Sequence, residues 1–398
     1  MLLAEDGVIN LDKPLYEYLA RPLYQYPAYA DLEGNERYKL ITARMVLSHT
    51  TGFPNLRSLE PDGRLKFLFS PGERHSYSGE GINLLQMVIE EITGKGLEAL
   101  AQEMIFHLLE MTHSSYVWQA GFEENMAFPH NEFCQPRGLS ILQLQGFGAG
   151  AGGSMATTAG EYARFITLGI LNVDGKRKAT IDEMLRPQIA INYENMFGPG
   201  AWQVADQYQD IRLAWGLGWG RFDTPYGRAF FHTGHGSGWQ NYTVTYADQG
   251  VGIVLLSNSD NFESVAQEIL EKAIGDVYTP FTWLGYIPFD PSKPKTSSPA
   301  DPIIIEVDPA ILGTYAGTYD MQSTARFQIK FEDSQLWTRS KDGQGWDRLY
   351  AETEARFLVK EDETYRWEFI RDASGNVTAL RLEIQGTPLL VAPKIEPK

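Results

Sequence analysis

Two short stretches hold residue types that could do chemistry. "SPGERHSYSGEG", residues 70–81, sets Tyr77, Ser78 and Gly79 behind a Pro-Gly turn and in front of an amphipathic segment. A tyrosine at such a turn is either a packing residue or a general base, and a base needs a nucleophile to serve. "FFHTGHGSGWQNY", residues 230–242, runs an aromatic strand into His232, Thr233, Gly234 and His235, followed by further glycines. Glycines at this density let a ligand approach the backbone and free N–H groups to meet an oxyanion. The same residues also read as a glycine-rich hairpin with an incidental histidine.

Other stretches offer less. "GFGAGAGGSMATTAGEY", residues 146–162, brings Gly152 and Gly153 before a helix N-terminus, an arrangement that could cradle phosphate. It has no lysine at the P-loop spacing and no dinucleotide fingerprint, so a tight loop packed under a helix is the simpler reading. His49 in "MVLSHTTGFPN" reads as a satisfied structural histidine at a helix end. There is no H-E-x-x-H, and His232 with His235 makes a poor metal case, so neither a metal nor another cofactor is expected. Cys134 is the single cysteine, which excludes an internal disulfide and leaves the redox compartment open.

The elements that must position these residues fall into two parts. Within 398 residues, 43% hydrophobic and 21% charged, residues 1–280 mix helical and strand periods. "INLLQMVIEEITG" carries Leu84, Leu85, Val88, Ile89 and Ile92 on one helical stripe, with Gly94 as its stop. "GLEALAQEMIFHLLEM" and "TTAGEYARFITLGIL" read as further helices, the latter with Thr158 as N-cap. "YTVTYADQGVGIVLLSN" reads as two strands joined by a turn at Ala247–Gly250, and "NFESVAQEILEKAIGDV" as a closing helix. Residues 281–303, rich in proline, read as a semi-rigid extended linker. Residues 304–398 alternate apolar and polar, with turn signals at "KDGQG", "EDET" and "DASGN", as a small antiparallel barrel or sandwich does.

The net charge of −17 argues against a nucleic-acid partner, since phosphate binding needs a basic surface. No apolar run approaches the roughly 20 residues that a membrane-spanning helix needs. The first residues, "MLLAEDGVINLDKPLYEYL", carry acids where a signal peptide has a basic region, and they read as the interior of a folded domain.

Taken in order, "LLAEDGVINLDKPLYEYL", "LSHTTGFPN", "PGERHSYSGEG", "LLQMVIEEITGKGLEAL", "GGSMATTAGEYARF", "WGLGW" and "FHTGHGSGW" resemble the β-lactamase-related serine hydrolases. That group includes class C β-lactamases, D-alanyl-D-alanine peptidases, D-aminopeptidases and esterases. The resemblance covers residues 1 to about 275, and the C-terminal part resembles the small lipocalin-like barrel that many members carry. It implies an α+β fold: an antiparallel sheet flanked by helices, an all-helical part, and the barrel. It also implies acyl-serine chemistry on an amide, ester or β-lactam, with a small-molecule or peptide substrate and an extracytoplasmic parent protein.

Family members use S-x-x-K at a helix start, a Y-x-N or S-x-N loop, and a K-T-G or H-x-G strand. Tyr77-Ser78-Gly79 matches the second, with Gly79 where asparagine is common, so one amide that would hold a substrate carbonyl is lost. His232-Thr233-Gly234 matches the third, which assigns an oxyanion contact to the backbone N–H of His235. Gly152 and Gly153 match a glycine pair on the pocket floor. The first element is absent. Only Ser292-Lys293-Pro294-Lys295 has the spacing, and its prolines forbid the helix that would set serine and lysine one turn apart. Gly152-Gly153-Ser154-Met155-Ala156 is a near miss for a nucleophile elbow, with no base to follow. In the family S-x-x-K stands about ten to fifteen residues before the "LLAEDG" segment. The resemblance therefore places the nucleophile, its lysine and the early strands ahead of Met1, and implies an exposed sheet edge through which chains could associate.

Two readings follow: a serine hydrolase whose nucleophile is missing from these residues, and so impaired, or a non-catalytic binder of D-amino-acid peptides or β-lactams. A fragment completed by another chain is a third.

Overall fold

The computed structural model describes residues 1–60, 63–136, 148–236, 238–290, 292, 304–320, 326–340, 345–359, 362–372, 374–384 and 387–395. The architecture is α+β. Short helices α1 (Leu2–Glu5) and α2 (Ala43–Leu47) and several 3-10 turns lead into α3 (Gly79–Thr93). Then come α4 (Leu97–Ala101), α5 (Phe122–Asn125), α6 (Ala159–Arg164) and α7 (Gly175–Met184).

The predicted stripe on α3 is its buried face. Leu84, Leu85 and Val88 are buried among Ile9, Leu15, Tyr29, Ile41 and Phe53, with Ile89 and Ile92 packed at the margin. Each such side chain contributes on the order of 1.5–3 kcal/mol by leaving water. Ser78 starts the helix by accepting from Gly81 N at 3.0 Å. Gly94 ends it at φ 66°, the left-handed conformation that glycine adopts without strain. Thr158 caps α6 as expected, its hydroxyl accepting from Glu161 N.

Strands β1 (Ile189–Ala190), β2 (Ala214–Trp215), β3 (Gly220–Thr224), β4 (Gly227–Gly236), β5 (Trp239–Tyr246) and β6 (Val251–Ser257) form one antiparallel sheet in sequence order. Alternation along β4 feeds two cores. Phe231 joins Trp215, Phe222 and Tyr242 on one face, under Ala266 and Leu270 of α8 (Glu263–Ile274). Phe230 joins Trp219, Ile166 and Met184 on the other. Gly220 must be glycine because the Phe231 ring lies across it, 2.4 Å from where a Cβ would sit. Strand β6 ends the sheet, uncharged along its length, with Val251 and Leu256 exposed. Among the described residues its outer edge has no partner strand.

Phe281–Leu284 form helix α9, and Trp283, Leu284 and Tyr286 are buried in the first of these cores. The extended linker expected from residue 281 therefore does not start there: "FTWLGY" carries enough apolar surface to dock, and the dense prolines come only afterwards. Residue 291 and residues 293–303 lie outside the described residues, as does the Ser292–Lys295 match apart from Ser292 itself.

After α10 (Pro309–Tyr315), strands β7 (Gly317–Asp320), β8 (Arg326–Glu332), β9 (Gln335–Ser340), β10 (Asp347–Ala351), β11 (Arg356–Val359), β12 (Asp362–Arg371), β13 (Val377–Ile384) and β14 (Thr387–Ile395) close into a barrel. Its interior is filled by Phe327, Leu349, Phe357, Trp367, Phe369 and Leu380 among others, capped by Leu312 and Tyr315 of α10. The "DASGN" turn is held by Asp372 Oδ1, which accepts from Ser374 N and Asn376 N, both at 2.9 Å. "KDGQG" and "EDET" fall partly outside the described residues.

Candidate functional site

The tyrosine loop and the histidine strand meet. The Tyr77 and His232 rings lie 6.1 Å apart, edge to face, and both pack on Trp215 of β2, at 5.9 and 5.8 Å. Trp215 is fully buried and also touches His49 at 5.3 Å and His75 at 5.1 Å. One indole thus gathers a tyrosine and three histidines from three separate segments.

The histidines are held neutral. Burial pushes His49 well below the ordinary imidazole value, with smaller contributions from His75 and His232. Its Nδ1 accepts from Ser78 N at 3.1 Å, and its ring lies against Tyr77 at 4.1 Å. His49 is therefore structural, as expected, but what it supports is the tyrosine loop. Burial, and then the Arg74 charge, push His75 down to about 3. His75 Nδ1 meets the Tyr193 hydroxyl, while its Nε2 has no partner. Burial also lowers His232. Its Nδ1 donates to Thr233 O at 2.7 Å, since a carbonyl can only accept, and this leaves Nε2 as the acceptor.

Tyr77 is half-buried, and loss of solvent pushes its hydroxyl up to about 12. No hydrogen bond reaches that hydroxyl from the described residues. Phe197 stands edge-on to the ring at 5.8 Å. The other residues of the loop are committed elsewhere. Ser78 is buried, and its hydroxyl, besides capping α3, donates to Pro54 O at 2.8 Å, so it offers nothing to a ligand. Gly79 N donates to Asn55 Oδ1 at 3.1 Å, and a Cβ on Gly79 would lie 3.1 Å from Asn55 O. Asn55 crowds the space where a side chain at position 79 would begin, and its own Nδ2 has no partner among the described residues.

Strand β4 outruns β3. Their pairing stops at Gly220 and Phe231, whereas β5 stays paired with β4 out to Gly236. His232–Gly236 therefore have a neighbour on one side only among the described residues. In an antiparallel ladder every second N–H of such a segment faces the free edge. Side chains alternate: His232 turns to Tyr77, while Thr233 Oγ1 meets the Tyr286 hydroxyl at 2.7 Å and the His235 ring packs on Tyr286 at 5.2 Å. His235 also approaches Glu263 at 3.6 Å. Thr233, Gly234 and His235 can thus serve a ligand on Tyr77's side through their backbone alone.

The glycine loop is pinned to α3. Gln86 donates from Nε2 to Ala149 O and accepts at Oε1 from Ala151 N, both at 2.8 Å. Gly152 lies by Asn83, and Gly153 has open space around it. Ser154 donates to Tyr116 O at 2.7 Å and accepts from Gly150 N at 2.8 Å, so its hydroxyl is spent on backbone. Gly146 and Phe147 lie outside the described residues. Among the described residues no group of three or more histidine, cysteine or acidic side chains is placed to hold a metal ion.

Reasoning from sequence missed Trp215, His75, Phe197 and Asn55. Trp215 stood in the quoted "WGLGW" motif without a role; the other three carry no local signal, because only folding brings them to Tyr77.

Residues 1–274 match the beta-lactamase family, and residues 301–393 match a domain of unknown function (DUF3471). Penicillin-binding protein 4* of Bacillus subtilis (strain 168) is 22% identical over 357 residues, 81% of this chain and 72% of its own. The octameric penicillin-binding protein homologue from Pyrococcus abyssi superposes with a TM-score of 0.51 at 17% identity, over 98% of this chain and 84% of that one. A class C beta-lactamase gives a TM-score of 0.50 at 17% identity, over 69% of this chain and 78% of its own. At such identities the structural likeness speaks for the fold, and the match over residues 1–274 speaks for descent: the chain belongs to the beta-lactamase family of penicillin-binding-protein-like serine hydrolases.

Proposed function

We propose that the Tyr77–His232 site receives the carbonyl group of an amide, ester or β-lactam for transfer to a serine, and that these 398 residues bind such a carbonyl without turning it over. The observation that carries this reading is the Tyr77 hydroxyl, which has no hydrogen-bond partner among the described residues and stands beside the edge of β4 that β3 does not cover. In this role Tyr77 passes the serine proton, His232 tunes the tyrosine through its neutral ring, and the His235 N–H polarises the carbonyl. Gly152 and Gly153 leave room for the substrate, while Gly79 lets the loop pass close against Asn55. A tyrosine near 12 is not anionic at neutral pH and needs a cation to become a base. The family places that cation, a lysine, in the S-x-x-K element, which has no usable counterpart in this sequence.

Calorimetry and intact-protein mass spectrometry with benzylpenicillin test the proposal. Heat of binding with no gain in mass is expected. A covalent adduct, or nitrocefin turnover that is lost in Tyr77→Phe, would show a nucleophile among these residues. Absence of both binding and turnover would remove the site.

We further infer that copies associate through β6, whose unpaired apolar edge suits strand addition. The structural relative from Pyrococcus abyssi is itself described as octameric. A monomer on gel filtration at micromolar concentration, unchanged by Leu256→Lys, would overturn this.

A further inference from the structure

We propose that the pocket beside Arg74 is a subsite for the carboxylate of a small substrate bearing an aromatic or branched apolar group. This deepens, and rests on, the reading of Tyr77 as part of a carbonyl-binding site.

Arg74 lies three residues before Tyr77 on the same loop. Its guanidinium is packed over three rings: Trp202 at 4.6 Å, Tyr193 at 5.2 Å and Phe69 at 5.9 Å. Nη2 donates to Ala201 O, and Nε donates to His75 O at 3.4 Å. Among the described residues Nη1 has no partner and no carboxylate pairs with Arg74. Arg37 and Arg371 likewise stack on rings with no carboxylate partner among the described residues, but they bond to the Asn35 and Thr314 side chains instead. Arg44, Arg57, Arg177 and Arg228 each bond to a carboxylate. A guanidinium fixed against rings, with one donor edge open and no acid of its own, is preorganised for a planar anion.

The surrounding space suits such a ligand. A pocket of about 190 Å³ is lined by Arg74, Asn192, Tyr193, Trp202 and Val204. Trp202 is 51% exposed and Val204 85%, which gives the mouth an apolar wall that nothing among the described residues covers. This wall is a hairpin loop. It is closed by the Tyr193–Val204 bridge and by Ala205 N donating to Asn192 O at 2.9 Å. The same loop presents Phe197 to the Tyr77 ring. One loop therefore borders both the reacting group and the anion pocket, so a substrate could rest its carboxylate on Arg74 while its carbonyl lies near Tyr77.

The test is calorimetric titration of the whole chain with phenylacetate, its neutral isostere phenylacetamide, and acetate. Phenylacetate is expected to bind at least about tenfold tighter than either, because a charge-assisted bond and ring burial are both required. Arg74→Gln should remove that preference. Arg74→Lys should weaken phenylacetate several-fold, since the fork and the stacking are lost while the charge stays. Trp202→Ala, at a half-exposed position, should weaken phenylacetate and leave acetate unchanged. Equal affinity for phenylacetate and phenylacetamide, no detectable binding at millimolar phenylacetate, or unchanged binding in both Arg74→Lys and Trp202→Ala would overturn the proposal. Tyr77→Phe separates the two readings, because it should not alter phenylacetate binding. If phenylacetate binds through Arg74 but benzylpenicillin does not bind at all, the pocket stands and the carbonyl reading fails. The opposite result removes the pocket alone.

Discussion

Trp215 and Trp367 are both fully buried, both sit among other aromatic rings, and both leave an indole N–H without a partner. Their surroundings differ in what else is present. Around Trp367 the rings are apolar: Phe327 lies at 5.2 Å, and nearby Phe369 stacks on Tyr315 at 4.2 Å. The barrel tyrosines spend their hydroxyls on backbone, Tyr315 on Glu354 O at 3.1 Å and Tyr319 on Tyr315 O at 2.7 Å. Around Trp215 the rings are His49, His75, Tyr77 and His232, with the Tyr77 hydroxyl and His75 Nε2 unspent. Topology explains the contrast. A closed barrel pairs every strand on both sides and fills its interior. An open sheet in which β4 outruns β3 keeps backbone groups and titratable rings at its edge, where a ligand can replace the missing strand. Aromatic density alone therefore does not mark a site, and neither do unspent polar atoms, which the barrel also has; titratable rings gathered beside an open strand edge do.

The strongest way to break this comparison is to truncate both indoles. Trp215→Ala and Trp367→Ala should each cost about 3–5 kcal/mol in urea unfolding. Only Trp215→Ala should also abolish binding of benzylpenicillin to the protein that remains folded. Equal loss of binding in Trp367→Ala would mean that the two regions are not separate.

Acid should distinguish them next. All seven histidines precede Gly236, and the barrel has none. His75 is held at about 3 by burial and by Arg74, and burial also lowers His49 and His232. The unfolded chain takes up protons near pH 6.5 that the folded chain refuses. Stability from these groups is therefore complete above pH 6.5 and falls as the pH drops toward 3. His75 alone accounts for roughly 2 kcal/mol by pH 5. Limited proteolysis across this range should open residues 1–274 before the barrel. Simultaneous cleavage of both would contradict the assignment.

The finest test is one oxygen atom in each region. Tyr319→Phe should cost about 1–2 kcal/mol, because a buried carbonyl loses its donor. Tyr77→Phe should change stability by less than about 0.5 kcal/mol, since its hydroxyl bonds to nothing among the described residues. A cost for Tyr77→Phe as large as that for Tyr319→Phe would show that Tyr77 is a packing tyrosine with a partner of its own.

Much of this was legible along the chain. The stripe Leu84, Leu85 and Val88, the stop at Gly94 and the cap at Thr158 are local signals, and local physics enforced them. The turn at Ala247–Gly250 and the alternation after residue 304 were equally direct, because a period of two leaves few alternatives. The boundary at residue 281 was misread, since proline content was weighed above the apolar "FTWLGY" that docks in the core. The motifs assign Ser78 and Thr233 to a ligand and an oxyanion contact to the His235 backbone N–H; that the Ser78 hydroxyl caps α3 and that strand alternation turns the Thr233 and His235 side chains away from Tyr77 are relations no motif encodes.

The sequence by itself determined which residues could do chemistry here, because tyrosine, histidine and glycine keep their types and spacings whatever the fold. It also determined the acidic charge and the family resemblance, since ordered motifs survive without any contact being known. Only tertiary structure decided that His49 braces the tyrosine loop, that Trp215 gathers three distant segments, and that Arg74 faces a pocket with no acid paired to it among the described residues. Those relations join residues up to about 170 positions apart, and no local propensity encodes a contact at that separation. They arise when burial of the aromatic rings brings distant segments together and leaves particular polar atoms without partners.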